Sequence, residues 1–274
     1  MGPDEKTIQE QIASGQIPTR QINADVPTEE IELPSKGKLY PEGHPLATGK
    51  ILLRYPTARE EDILTSRNLL QKGTAVDMFI RSIIVDKTIN PDDILLGDKN
   101  AIIIASRIMA YGKDYQAQVE CPSCSEKNTF GIDISTFESK TIDEVDKALS
   151  NDFEFVLPSS KAVVRYKLLT DRDFKNIDNI LKSNKKSLRL QTSAEMTTRL
   201  KVTITSINGS DDRNEIKNFV DTMLSIDSKA LRDEMNRITP DIDLKFLFEC
   251  ENCGHEERMT MPLGINFFWP STEQ

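Results

Sequence analysis

Two rhythms alternate along this chain. Apolar residues at every second position mark "DYQAQVE" (114–120) and "DIDLKFLFE" (241–249) as strands, and "NTFGIDIS" (128–135) and "RMTMPL" (258–263) can return beside them. Shorter strands are predicted at the start of "GKILLRYPTAREEDIL" (49–64), in "KAVVRYKLLTDRDFKNI" (161–177) and in "FEFVLPS" (153–159). A helical rhythm fills the rest. Thr57 and Glu60 have the spacing of a capping box at the head of a helix expected to run to Gly73, with Ile63, Leu64 and Leu70 on one face. Val76, Phe79, Ile80, Ile83 and Ile84 give the next helix its stripe, and "NAIIIASRIMAYG" predicts a strongly apolar one ending near Gly112. Later helices are predicted in "DRDFKNIDNILKS", "AEMTTRLKVTITSI", "NEIKNFVDTMLS" and "SKALRDEMNRI".

The order of these elements occurs twice. A strand and helix start carrying Arg54-Tyr55 has a counterpart carrying Arg165-Tyr166, and each leads through helices to strand, C-x-x-C, strand. The expected fold class is α+β: a helical body with short strands and two C-x-x-C hairpins forming a split zinc ribbon, with a possible internal duplication. The expected organisation is a flexible polar arm over residues 1–30, a first half over 31–140 and a second half over 141–274, with "TIDEVDKALSN" as a helix between the halves.

Chemistry concentrates at the cysteines. Cys121, Cys124, Cys250 and Cys253 are all the cysteine among 274 residues. The chain shows neither an apolar run long enough for a bilayer nor a signal-peptide core in its first thirty residues, so a cytoplasm that keeps thiols reduced is the expected compartment. There, two C-x-x-C turns supply the four thiolates of a structural zinc site. Two disulfides, or four unliganded thiols, are the alternatives. A thioredoxin-like role fits poorly, because both motifs precede strand-like rather than helical sequence. Four cysteines also fill the coordination sphere, which leaves no position for a catalytic water. His44 and His255 read as surface residues outside the ligand set.

Other features narrow the function class. The net charge of −9 argues against a protein that coats nucleic acid. No phosphate-binding loop, dinucleotide fingerprint, H-E-x-x-H or nucleophile elbow is present, so no enzyme is expected. Residues 33–49, "LPSKGKLYPEGHPLATG", carry the turn chemistry of an ordered crossing anchored by Leu39 and Tyr40. Near the other end, Phe267, Phe268 and Trp269 form an aromatic cluster with two possible uses, packing on the body or docking a partner.

The entry "LPSKGKLYPEGHPLATGKILLRYPTAREEDIL", the paired C-x-x-C hairpins and the ending "PLGINFFWP" together resemble the baseplate proteins of T4-like contractile-tailed bacteriophages, the group containing the baseplate hub assembly proteins. The resemblance runs from about Leu33 to Pro270. It implies a part in building the tail baseplate hub, as an assembly factor in the host cytoplasm or a minor component kept in the virion, with hub or spike proteins as partners; from charge and apolar patterning, neither a membrane nor a nucleic-acid partner is expected. It implies no catalytic residues. The alternative is a zinc-ribbon module for nucleic acid or transcription, which needs a basic surface near the ribbon. Glu120, Glu126, Glu249, Glu251, Glu256 and Glu257 stand there instead.

Overall fold

The computed structural model describes residues 26–141, 150–187, 194–261, 263 and 265–268. The expected linking helix falls mostly on 142–149, and Trp269 follows 268, so both lie outside the described residues. The first strand, β1 (Thr28–Glu32), pairs antiparallel with β2 (Lys50–Arg54), Thr28 opposite Arg54 and Glu32 opposite Lys50. Residues 28–30, expected to belong to the arm, are therefore strand. Their polar side chains hid this, since Glu30 pairs with Lys50 and Glu29 accepts from the Tyr55 hydroxyl on an exposed face.

Between the two strands the entry segment folds tightly onto the body. Leu33, Leu39, Tyr40 and Leu46 are buried, as expected of the anchors Leu39 and Tyr40. Gly37, at φ 75°, permits this: a Cβ there would lie 2.3 Å from the Ala47 carbonyl oxygen.

Helix α1 (Ala58–Thr65) opens on the expected capping box of Thr57 and Glu60. It stops at Ser66, whose extended ψ of 110° separates it from α2 (Arg67–Lys72), and Gly73 caps α2 at φ 69°. The single helix expected to Gly73 is thus two, and the break turns Leu70 outward while Leu64 stays buried. Helices α3 (Ala75–Ile83) and α4 (Leu96–Tyr111) follow, then β3 (Asp114–Glu120) and β4 (Lys127–Asp133) as a hairpin, and the short β5 (Ser139–Lys140).

The second passage begins with β6 (Phe153–Val156) and β7 (Val163–Tyr166), then α5 (Asp171–Ser187) and α6 (Glu195–Thr203). Residues 204–207, expected to continue a helix, form β8 (Ile204–Ile207) and complete the antiparallel sheet β6-β7-β8. The β-branched run Thr203-Ile204-Thr205 suits a strand edge better than another helical turn. Helices α7 (Arg213–Thr222) and α8 (Ser225–Ile238) lead to β9 (Asp241–Ile242), which pairs with β5, and to the hairpin β10 (Lys245–Glu249) and β11 (Glu256–Thr260). Eight α-helices and short antiparallel strands make the described fold α+β.

The two passages share details beyond element order. Leu33-Pro34-Ser35 follows β1, and Leu157-Pro158-Ser159 follows β6. Ser35 donates its N–H to Asp98 in the first turn of α4 at 2.9 Å; Ser159 and Ser160 donate theirs to Asp227 in the first turn of α8 at 2.7 and 2.9 Å. Thr57, Glu60 and Arg54 form one network at a helix head, and Thr170, Asp173 and Lys167 form another with identical spacing. The counterpart of Arg54 is therefore Lys167 rather than Arg165, which instead pairs with Asp152 on the surface.

The halves meet closely. Leu96 N–H donates to the Leu169 carbonyl at 3.1 Å, and Asp171 N–H donates to that of Ile94 at 2.9 Å. Lys99 bridges Asp77 and Asp171, while Lys175 reaches Asp77, Asp92 and Asp171.

Candidate metal centre

Each C-x-x-C turn is shaped by its own backbone. Cys121 N–H donates to the Glu126 carbonyl and Ser125 N–H to that of Cys121, both at 2.8 Å; Cys250 N–H donates to His255 and Gly254 N–H to Cys250, both at 2.9 Å. The residue after each second cysteine, Ser125 or Gly254, takes positive φ, 59° and 67°. That turn aims both sulfurs of a pair to one side of the hairpin tip.

The tips face each other. Sγ of Cys121 lies 3.7 Å from Sγ of Cys253, and Sγ of Cys124 lies 3.7 Å from Sγ of Cys250. All four sulfurs fall within 4.8 Å of one another and could hold a metal ion. A disulfide needs about 2.0 Å, so none is formed. Cys121 and Cys250 are buried, while Cys124 and Cys253 stand nearer solvent.

Two asparagines that sequence reasoning overlooked support the sulfurs. The Asn128 amide donates to Cys250 Sγ and the Asn252 amide to Cys124 Sγ, each at 3.6 Å, and Asn128 Oδ1 accepts from the Glu251 N–H. Asn128 occupies an inward position of β4, where alternation asks for an apolar residue; that anomaly was the available signal. Burial would raise the Cys250 thiol, yet the amides of Cys253 and Asn252 outweigh it and hold the thiol down at about 6. The Glu126 backbone and the Asn252 side chain lower Cys124 as well. At Cys124 and Cys250 the donors aimed at sulfur favour thiolate, the form that binds metal, whereas the neighbouring sulfurs push the Cys253 thiol up.

The hairpins also pack beneath the cysteines. Phe130 of β4 lies against Phe246 and Phe248 of β10, with ring centroids 5.9 and 6.4 Å apart. Neither histidine joins the sulfurs. His44 accepts the Leu46 N–H and stacks on Tyr40, so it is a half-buried cap and not the surface residue expected; His255 faces Glu257. The six glutamates around the tips are exposed.

The aromatic cluster lies apart from the sulfurs. Phe267 and Phe268 are both 1% exposed: Phe268 meets Phe79 at 4.7 Å and Phe267 meets Tyr115 at 5.1 Å. Arg107, also buried, donates to the Phe267 carbonyl and lies over the Tyr111 and Tyr115 rings. These two phenylalanines pack into the body and offer no open face for a partner.

Among the described residues, no helix is long and apolar enough to cross a membrane. Neither curated proteins nor solved structures provide a match. The family model described as T4 bacteriophage base plate protein matches residues 26–269, from the strand before the entry turn to the end of the aromatic cluster. With both hairpins and nearly all the described fold inside that match, this chain belongs to the T4 bacteriophage base plate protein family.

Proposed function

We propose that this baseplate protein takes part in assembling the baseplate hub without catalysing a covalent reaction, and that it binds hub or spike subunits while one zinc ion staples its two hairpins. The family match carries the baseplate part of this reading. The sulfur geometry supports the staple. Zn–S bonds of about 2.3 Å in a tetrahedron separate neighbouring sulfurs by roughly 3.8 Å, close to the 3.7 Å between the two facing pairs. Zinc there would act as a structural ion, joining segments distant in sequence. The halves then read as duplicated units, each contributing two thiolates to a split ribbon.

Exposed glutamates around the tips weigh against a nucleic-acid role. Of the three aromatics expected to dock a partner, Trp269 remains the candidate.

Co-expression with hub and spike proteins tests the reading. Hub or spike subunits are expected to co-purify with this chain, and metal analysis is expected to return about one zinc per chain for a four-thiolate site. Absence of both associations from cells assembling complete baseplates overturns the hub role. Trp269→Ala is expected to weaken co-purification while leaving the melting temperature nearly unchanged. Mass spectrometry of purified virions beside infected-cell lysate decides between transient assembly factor and retained component.

A further inference from the structure

In the first half, the space between α3 and α4 is filled by the segment Ile265–Phe268. Phe268 lies on Phe79 of α3, and the Phe267 carbonyl is held by Arg107 of α4. The matching helices of the second half are α6, nine residues long like α3, and α8, whose Asp227 matches Asp98. Between α6 and α8 the described residues leave a groove of about 160 Å³ lined by Leu169, Met196, Arg199, Arg232, Met235 and Asn236. It continues into a hollow of about 180 Å³ that reaches Gly97 and Pro240 at the junction of the halves.

The registers show what changed. Phe79 corresponds to Arg199 by position in the nine-residue helices, and Ile103 corresponds to Arg232 by distance from the aspartates. Two buried apolar positions of the first half are thus arginines beside an apolar floor in the second. Arg199 pairs with Glu195 at 3.0 Å and Arg232 donates to the Ser228 carbonyl at 3.2 Å, contacts that use only part of each five-donor guanidinium.

We propose that this groove docks an extended segment of another protein carrying an aromatic side chain flanked by carboxylates. The ring enters between Leu169, Met196 and Met235, where two thioethers favour aromatic contact. The carboxylates meet Arg199 and Arg232, the charge complement of the rim. The first half supplies the precedent: its matching space already holds a Phe-Phe segment from elsewhere in the chain. A second copy repeating the contact between halves is a poor occupant. That contact places Gly97 so close to Pro240 that a Cβ would lie 1.9 Å from its carbonyl oxygen, and Ile226 stands at the matching position of the second half. The source of the segment, another baseplate protein, rests on the function proposed above, whereas the groove's chemistry does not.

The test uses the full chain and a labelled peptide, Ile-Asn-Phe-Phe with two aspartates at each end, followed by fluorescence anisotropy. Saturable binding is expected, weakened about tenfold or more by Arg199→Glu with Arg232→Glu, by Met235→Asp, or by alanine in place of both peptide phenylalanines. The melting temperatures of the variants show that each remains folded. No saturable binding, or equal binding by the double glutamate variant, overturns the proposal. Concentration-dependent dimerisation abolished by the same substitutions assigns the groove to a second copy and also overturns it. Peptide binding by a chain that associates with no hub or spike protein leaves the groove standing and removes only the proposed hub role.

Discussion

The turns after β1 and β6 start with the same Leu-Pro-Ser and lay their backbone on the same kind of buried aspartate, but they surround it differently. Seventeen residues, 33–49, separate β1 from β2, whereas six, 157–162, separate β6 from β7. The longer turn folds over Asp98, adding the Ser35 and Tyr40 hydroxyls as donors at 2.7 Å. Burial, aided by the Asp241 carboxylate, outweighs those donors, and the Asp98 carboxyl is pushed above its ordinary range. Tyr40 is driven upward by the same burial and by the nearby carboxylate. Asp227 has the shorter turn. Burial acts to raise its carboxyl too, yet the amides of Ser159 and Ser160 prevail with help from the Ser160 hydroxyl and Lys161, and it titrates below its ordinary range. A repeated backbone device thus acquires opposite electrical character from the groups gathered around each aspartate.

The strictest test of equivalence between the halves lies at the sulfurs, where the largest effect is expected. Cys121 and Cys250 hold matching buried positions, so Cys121→Ser and Cys250→Ser should each abolish metal binding and lower the melting temperature alike. A structural zinc ion held there would contribute about 10–16 kcal/mol of apparent binding free energy, coupled to folding. A chelator should reproduce the effect in the unmodified protein. Calorimetry with metal analysis checks this; one variant that keeps its metal would break the equivalence.

Opposite pH dependence is the second expectation. Asp98 has a raised folded-state pKa, so its contribution is fully present below the unfolded value of about 3.9 and is lost as pH rises through the folded value. Asp227 has a depressed one, so its contribution is present above about 3.9 and is lost as pH falls through the folded value. The cost of Asp98→Asn, about 1–3 kcal/mol in acid, should therefore shrink as pH rises. The cost of Asp227→Asn should grow with pH and level off above about 3.9. Urea unfolding of both variants between pH 3 and 7 measures the two slopes, and slopes of one sign would show that the two aspartates do not differ in electrical character.

How much of this was legible in the sequence follows from range. The cysteine pairs were, because C-x-x-C between alternating strands is a local pattern that also fixes hairpin geometry. So was the capping box at Thr57, whose partners lie three residues apart. The repeat is visible too, but its register lies in Leu-Pro-Ser at 33 and 157 and not in Arg-Tyr at 54 and 165. From each buried aspartate the first cysteine follows after 23 residues (98 to 121, 227 to 250). What stayed hidden depends on contacts between distant segments. Helix periodicity alone does not show that Arg107 will be buried against Phe267, 160 residues away, or that Gly97 must fit under Pro240. The strand at Ile204 was missed for a related reason, since only pairing with β7 settles the conformation of a β-branched run.

The smallest expected effect returns to the hairpin tips, where a single position separates the two turns chemically. Both turns need a left-handed residue after the second cysteine, and the second half places Gly254 there while the first places Ser125. A side chain in that conformation costs roughly 1–2 kcal/mol relative to the right-handed form, a penalty that glycine escapes. Glycine is also more disordered in the unfolded chain, which offsets part of the gain. Ser125→Gly should therefore stabilise the protein by about 1 kcal/mol or less, and Gly254→Ser should destabilise it by a similar amount. Neither position adds a hidden cost: no side-chain hydrogen bond is seen from Ser125 among the described residues, and a Cβ at Gly254 would meet nothing within 4 Å. Thermal melts of the metal-loaded variants check both signs. If the two substitutions shift the melting temperature in the same direction, backbone conformation is not what distinguishes the tips, and their likeness ends at the sulfurs.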